Sequence, residues 1–415
     1  MNSPKHFAIH SSAYSNIEPF LKRPTTENPV LNKVVQNKKG AYFSNKTLDD
    51  FIKEELLHDD FTLTSATHRH LLSLSSGERK KALLNHILKS NPDFLVLENP
   101  FDALDRESVS QLKQQLITLS KSINIIQIFN RQDDILPFTT CVLEFDKTLQ
   151  TTSISEYLNR KLNRNVISLT ASDIPEPIKP QKTIQSPLIR FKNVTVMYSG
   201  QTILKDINWD INRGEFWELN GENGSGKSTL VTMMIGDNPK GYGQNLYIFG
   251  KKRGSGETVW DIKQHIGYFT PSMMDLFNGH HSAINMVISG LKDSIGLYKV
   301  PSDLEIDLAK QWLQLIDLAD LKDTNYYYLT ETQKRLILIC RAMIKHPPLL
   351  ILDEPTVGLD DYGASVFISL VNQIAQNTNT AILYVSHRQE PELAPSHTYV
   401  LKKTEHGSLG NVLKS

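Results

Sequence analysis

The sequence predicts an α/β protein built from two tandem copies of one parallel-sheet domain, the first of them degenerate. Three observations carry this reading. Apolar runs of buried-strand type alternate with helix-like segments, the pattern of a parallel sheet with helical crossovers. A set of motifs in the first half recurs in the second at a constant spacing. A phosphate-loop motif, G-x-x-x-x-G-K-[ST], stands in the second half between a short apolar run and a helix-like segment.

The elements follow in chain order. Leu48 to Asp60 is helix-like and acidic, and Leu74-Ser75-Ser76-Gly77-Glu78 precedes a helix from Arg79 to Ser90 with apolar positions at Ala82, Leu83, Leu84, Ile87 and Leu88. Asn91-Pro92 ends it. Phe94 to Leu97 is a buried strand carrying Glu98-Asn99-Pro100 at its C-terminal end, Ser108 to Leu119 a helix, and Ile123 to Phe129 another buried strand. Residues 173–187 hold four prolines and no aromatic residue, the composition of a semi-rigid extended linker. Leu188 to Tyr198 and Gln201 to Ile211 then open a new domain as strands. Phe216 to Leu219 is a short strand, and Thr229 to Ile235 a helix closed by Gly236. The expected division is 1–168, a degenerate domain without a phosphate loop; 169–187, the linker; and 188–415, the intact domain.

Gly221, Asn223, Gly224, Ser225, Gly226, Lys227, Ser228 and Thr229 form the phosphate loop. Glycines let successive backbone N–H groups converge on phosphate at a helix N-terminus, where the dipole favours negative charge. Lys227 reaches the terminal phosphates and the Ser228 hydroxyl is placed to ligate Mg²⁺.

The second half repeats the first. Leu349 to Pro355 matches Phe94 to Pro100, Thr356 to Asp360 matches Phe101 to Asp105, and Leu329 to Gln333 matches Leu74 to Glu78, all at an offset of 255 residues; Val385 to Gln389 matches Ile128 to Gln132 at 257. A constant offset over four motifs separates a true repeat from a chance match of apolar runs. In a nucleotide hydrolase of this architecture, an acid at the end of a buried strand binds Mg²⁺ and a second carboxylate orients the attacking water. Asp353 fits the first role and Glu354 the second.

Composition bounds the rest. Lys plus Arg equals Asp plus Glu at 45 each, so the chain of 415 residues has no overall basic excess to serve nucleic acid. A local patch stays open, although Lys251-Lys252-Arg253 reads as a solvated turn. The two cysteines, Cys141 and Cys340, lie in apolar runs and read as buried thiols in a reducing compartment. No apolar leader or stretch of about 18 apolar residues is evident. His280-His281 has no third partner at metal spacing and reads as solvated loop. The expectation is a cytoplasmic protein, with a peripheral position at the inner face of a membrane left open.

These residues resemble the ATP-binding cassette (ABC) family of P-loop NTPases, with tandem nucleotide-binding domains in one chain. The resemblance implies ATP hydrolysis with Mg²⁺ at sites shared between two domains, where the phosphate loop and acids of one face the signature loop of the other. The family signature is Leu-Ser-Gly-Gly-Gln, and Ser76-Gly77 or Ser75-Gly77 can meet its requirement here, whereas Thr332 replaces the glycine in Leu329 to Gln333. One composite site then has Lys227, Ser228, Asp353, Glu354 and His387 with Ser76, Gly77 and Asp105, all present. The other lacks a phosphate loop and has Glu98, Asn99 and Asn130 in place of Asp, Glu and His. Losses that fall almost entirely in one site imply intrachain pairing of the domains and one productive ATP per chain. The resemblance also makes Tyr198 the adenine-stacking aromatic and His387 the γ-phosphate switch group. At an offset of 255 the first phosphate loop would precede residue 1, so the early region is either truncated or shrunken; a shrunken remnant is favoured, laying His6 to His10 on Phe216 to Asn220, with Ile17 at the lysine position.

The family's glutamine after a run such as Ile266 to Phe269 is replaced by Thr270-Pro271-Ser272, a departure that counts against coupling to a membrane permease. Gly250 to Lys263, His265 to Tyr268 and Asp293 to Tyr298 resemble bacterial tandem proteins known as molybdenum-transport ATP-binding or photorepair proteins. The outputs implied are an ATPase energising a permease for molybdate or another substrate, a soluble ATP-driven protein acting in repair or on ribosomes or proteins, or an ATP-gated binding module with negligible turnover.

Overall fold

A computed structural model describes residues 5–11, 29–65, 68–146, 148–162, 174–178, 185–276, 281–388 and 390–414. The chain divides into two compact units, Met1–Val166 with Gly358–Tyr362, and Ile167–Val357 with Gly363–Ser415.

The first unit runs β1 (His6–Ser11), α1 (Pro29–Val35), β2 (Gly40–Phe43), α2 (Asn45–His58), α3 (Ser76–Lys89), β3 (Phe94–Glu98), α4 (Arg106–Leu119), β4 (Asn124–Phe129), β5 (Cys141–Asp146), β6 (Thr148–Ser153) and α5 (Ile154–Leu162). Its six strands lie in the order β2-β3-β4-β1-β5-β6, all parallel except the β5–β6 hairpin. Alternation along β3 sends Leu95 and Leu97 to one packed face, with Leu83, Leu84 and Leu112, and Phe94 and Val96 to the other, with Leu31 and Val34 of α1. Covering both faces is what a continuous apolar run requires. Each such Leu contributes roughly 1.5–3 kcal/mol.

The second unit runs β7 (Ile189–Tyr198), β8 (Gln201–Ile211), β9 (Phe216–Gly221), α6 (Lys227–Met234), β10 (Leu246–Ile248), β11 (Lys251–Lys252), α7 (Val259–Lys263), β12 (Ile266–Phe269), α8 (Met273–Leu276), α9 (Ala283–Ser289), α10 (Asp303–Leu315), α11 (Glu331–Met343), β13 (Leu349–Asp353), α12 (Asp361–Asn377), β14 (Ala381–Val385), β15 (His397–Lys402) and β16 (Leu409–Lys414). Its six-stranded sheet has the order β12-β13-β14-β9-β15-β16, element for element that of the first unit. A four-stranded antiparallel sheet, β11-β10-β7-β8, packs on it through Phe191, Trp209 and Leu219; Trp209 stacks on Tyr399 with ring centroids 4.0 Å apart.

Register locates the lost segments of the first unit. His6 pairs with Ile125 as Phe216 pairs with Ile382, and Gly40 pairs with Phe94 as Ile266 pairs with Leu349. β1 is therefore the counterpart of β9, and the region is shrunken rather than truncated. The offset between counterparts steps from 210 at His6/Phe216 to 226 at Gly40/Ile266 and 255 at Phe94/Leu349, so 16 residues are missing in the first interval and 29 in the second. The second unit fills those intervals with β10, β11 and α7, and with α9 and α10. Ile17 lies outside the described residues.

Several expectations change. Helices α3 and α4 begin earlier than the apolar period suggests, because Ser75 and Asp105 cap them: Ser75 and Glu78 form a reciprocal capping box, and Asp105 accepts from Ser108 N at 2.8 Å. Cys340 is buried, but Cys141 is only half-buried. Lys251 and Lys252 are exposed as expected, whereas Arg253 is buried against Glu257 at 2.9 Å. In the proline segment Ile174 and Pro175 are buried, so this part is not an exposed spacer; His346, whose pKa burial lowers, lies beside Pro175 and Glu176. His281 is half-buried edge-on to Tyr298, and His280 lies outside the described residues.

Candidate active site

β9 ends at Gly221, and the chain turns through Glu222–Gly226 into α6. Gly226 caps that helix at φ 97°, a conformation that glycine adopts without penalty. A Cβ on Gly221 would lie 2.6 Å from Ser225 Oγ and 2.8 Å from Leu401 O. The loop is thus drawn tight by residues with no side chain. Around Gly224, at φ 74°, the space is open. Lys227 is buried, and its Nζ donates to Gly221 O at 2.6 Å and Glu222 O at 3.0 Å, bending back over the loop. Ser225 Oγ is fully buried with no hydrogen-bond partner, an orphaned polar atom inside the cradle.

Facing this loop is the end of β13. Asp353 is its last residue, and Glu354 follows at φ 50°, with its N–H donating to Val385 O of β14 at 2.8 Å. Glu354 Oε1 lies 3.3 Å from His387 Nε2. Burial pushes the Glu354 carboxyl up to about 7, with the neighbouring Asp353 adding to the rise and Lys227 opposing it. Burial raises Asp353 as well, again against Lys227. Two half-buried carboxylates held beside one lysine are the donor set of a cation site.

Ten residues singled out from sequence, Tyr198, Asn223, Gly224, Gly226, Lys227, Ser228, Thr229, Asp353, Glu354 and His387, line a single cavity of about 430 Å³. Gly221 and Ser225 complete the loop beneath it. Tyr198 stands at the end of β7 with its hydroxyl accepting from Asn238 Nδ2 at 2.8 Å and Lys240 Nζ 5.5 Å from its ring centroid. Ser75, Ser76, Gly77 and Asp105 belong to the first unit. There Ser76 Oγ donates to Ala103 O at 2.8 Å, and Gly77 sits so close to α4 that an added Cβ would lie 2.6 Å from Ser108 Oγ. Close helix packing is by itself a reason for glycine at 77. Thr332, the counterpart of Gly77, is buried in α11 behind a Thr330–Gln333 capping box.

The sequence reading missed Ile203 in the cavity wall and a basic residue bracing each acid turn. Arg335 Nη1 donates to Pro355 O at 2.7 Å; at an offset of 255, Lys80 Nζ donates to Pro100 O at 3.0 Å and Asp102 O at 2.8 Å. A cation inside an apolar helix period, repeated at the offset, is the signal that marks this pair.

A glycine-drawn phosphate loop, an inward lysine and two half-buried acids at a strand end define a P-loop nucleotide hydrolase. Residues 204–357 match the model of the ABC transporter family. The chain is 37% identical over 370 residues to the Escherichia coli protein named ABC transporter ATP-binding protein ModF, spanning 85% of this chain and 76% of that one, and 31% identical over 364 residues to an uncharacterised ABC transporter ATP-binding protein, C323.04, of Schizosaccharomyces pombe, spanning 85% and 72%. A chain in a model of ribosome-bound archaeal Pelota and ABCE1 shares the fold over 100% of this chain and 75% of its own, with a TM-score of 0.65 at 13% identity. The protein belongs to the ABC family and is an ATP-binding ATPase with two such domains in tandem. No helix among the described residues is long and apolar enough to cross a membrane.

Proposed function

We propose that the chain binds one ATP with Mg²⁺ at the second unit's cradle and hydrolyses it in a site completed by the first unit. The observation that carries this is the gathering of Lys227, Ser228, Asp353, Glu354 and His387 on one cavity. Tyr198 stacks on the adenine and the Gly221–Thr229 loop holds the phosphates. Ser228 and Asp353 are the residues that hold Mg²⁺, which supplies charge neutralisation at the terminal phosphates. Glu354 orients the attacking water, and His387, 3.3 Å from it, holds the γ-phosphate side of that geometry. Ser75, Ser76, Gly77 and Asp105 contribute from the first unit, on the strength of the one-sided losses in the sequence. The domains 1–168 and 188–415 are then the two halves of one nucleotide-driven clamp, joined by the segment 169–187.

The output of that clamp is motion delivered to a partner. The name of the E. coli relative favours an ABC transport system, and the Thr270-Pro271-Ser272 segment in place of the family's glutamine favours a soluble partner. Affinity capture from cells with Glu354→Gln and ATP separates them: an integral membrane permease supports transport, of molybdate or another substrate, and ribosomes, DNA or a remodelled protein support the other. In purified protein, Glu354→Gln is expected to stop turnover while ATP binding survives at one per chain by calorimetry. Unchanged turnover, or two ATP per chain, defeats the one-site reading.

A further inference from the structure

The acid turn and the loop after β14 in the second unit are tied together by side chains of which the first unit keeps only the acid, Asp133 in the place of Glu390, and lacks both hydroxyls. Thr356, two residues after Glu354, is buried, and its Oγ1 donates to Glu390 Oε1 at 2.6 Å. The same Oγ1 lies 3.4 Å from the hydroxyl of Tyr384, a fully buried residue of β14. Glu390 comes three residues after His387, so this contact fixes the far end of the loop whose near end leaves β14 at Val385. At that near end, Val385 O accepts from Glu354 N, and Ser386 Oγ accepts from Arg388 N at 3.1 Å. His387 is therefore flanked on both sides by bonds to the turn that holds Glu354.

The first unit supplies an internal control. The β-sheet register that matches Leu352↔Tyr384 to Leu97↔Gln127 puts Gln127 in the place of Tyr384. Thr356 has Phe101 as its counterpart at the constant offset, a buried residue with no hydroxyl. Gln127 does not bond to the acid turn. It donates to Asp134 O at 2.6 Å and accepts from Leu136 N at 2.9 Å, bracing the loop on its own backbone. One main-chain tie survives, Asn99 N to Ile128 O at 3.0 Å, the counterpart of Glu354 N to Val385 O. So the backbone connection persists in the half that has Asn99 and Asn130 for the catalytic pair, and the side-chain latch does not. The latch is thus present in the unit that has the Glu354–His387 pair and absent from the unit that lacks it.

We propose that Thr356 and Glu390 are positioning residues for ATP hydrolysis: their hydrogen bond, seated on Tyr384, holds the His387 loop at a fixed distance from Glu354. The proposal rests on the ATPase reading above. Neither residue touches the phosphates; the latch acts by keeping the Glu354–His387 pair aligned, and misplacement of such a pair by about 1 Å costs on the order of 100-fold in rate.

The test is steady-state ATP turnover by full-length protein. Thr356→Val removes the donor at nearly constant volume and Glu390→Leu removes the acceptor; each is expected to lower kcat by about tenfold or more while KM for ATP stays within about twofold, because the phosphate loop and Tyr198 are untouched. Thr356→Ser and Glu390→Gln keep a hydroxyl donor and a carbonyl acceptor, and are expected to restore kcat. Thermal melts of all four variants accompany the kinetics. Wild-type kcat in Thr356→Val and Glu390→Leu overturns the proposal, as does a loss that tracks the fraction of unfolded protein and disappears on cooling. Glu354→Gln in the same assay separates the two readings: if it turns over like wild type, the ATPase assignment itself fails, whereas a dead Glu354→Gln beside an unimpaired Thr356→Val removes the latch alone.

Discussion

Arg253→Met removes the cation from a buried ion pair at the edge of the antiparallel sheet, and its effect is set by what stays behind. The Arg253 and Glu257 side chains are 1% and 4% exposed, with Nη1 and Oε1 2.9 Å apart. Arg253 Nη2 also donates to Gly236 O at 3.1 Å and Tyr242 Oη at 2.9 Å. Loss of one partner from a buried pair costs about 3–5 kcal/mol, because the other charge is left uncompensated. Glu257 still accepts from Gly254 N at 2.7 Å and Ser255 N at 3.0 Å, which puts the expected cost at the lower end, about 3 kcal/mol. All four tryptophans, Trp209, Trp217, Trp260 and Trp312, lie in the second unit, so denaturant unfolding followed by tryptophan fluorescence reads this unit directly. Acid adds a second readout. Burial works to raise the Glu257 carboxyl, but the Gly254 N–H, Arg253 and Ser255 outweigh it and hold the group down at about 2. A depressed pKa means stability that is present above the unfolded value near 4.5 and is lost as pH falls through about 2. Arg253→Met is expected to flatten that acid limb, and Arg253→Met with Glu257→Leu to recover much of the neutral-pH loss. A single variant within about 1 kcal/mol of wild type, or a double variant no more stable than the single, refutes the reasoning.

Two further outcomes concern the first unit. Burial pushes the Lys80 ammonium down to about 8, against Asp102 and Asp134, so the unfolded chain binds more protons than the folded one between about pH 8 and 10.5, and stability rises with pH across that window. The stability of wild type relative to Lys80→Met is expected to rise by about 2–3 kcal/mol from pH 8 to 10.5, read by hydrogen exchange at β3 and α3; a flat difference counts against a buried charge. Gly77→Ala is expected to cost about 1–3 kcal/mol through contact with Ser108 Oγ, and Ser108→Ala to relieve part of it in a double-mutant cycle; additivity rules out the contact.

The parts of the fold that could be read from sequence are those with a local signal. Phe94–Leu97 and Leu349–Leu352 are apolar runs bounded by turn chemistry, and the structure makes each the second, interior strand of a six-stranded sheet, the two sheets having the same strand order. The phosphate loop is legible because close backbone approach permits few residue types, and Gly221 and Gly226 both stand where a Cβ would collide. The starts of α3 and α4 depart from the apolar period because capping by Ser75 and Asp105 is decided by side-chain geometry that an apolar period does not encode. Arg253 reads as solvent-facing because it closes the basic run Lys251-Lys252-Arg253, and only the fold reveals that its side chain is buried against Glu257.

The stepwise offset has a stronger consequence. A single offset of 255 sends the lysine of a first phosphate loop to before residue 1, whereas strand register carries the offset down to 210 at β1 and restores a β9 counterpart. The 16- and 29-residue losses fall between strands, where connections tolerate change, and leave all six strands of the first sheet in place. Loss of stability would not respect that division, since the strands bury most of the core. The first unit has therefore kept its scaffold while shedding loops and catalytic side chains. On the reading proposed above, the first unit is not kept for ATP chemistry of its own, and turnover is proposed to rest on Lys227 and Glu354 in the second unit.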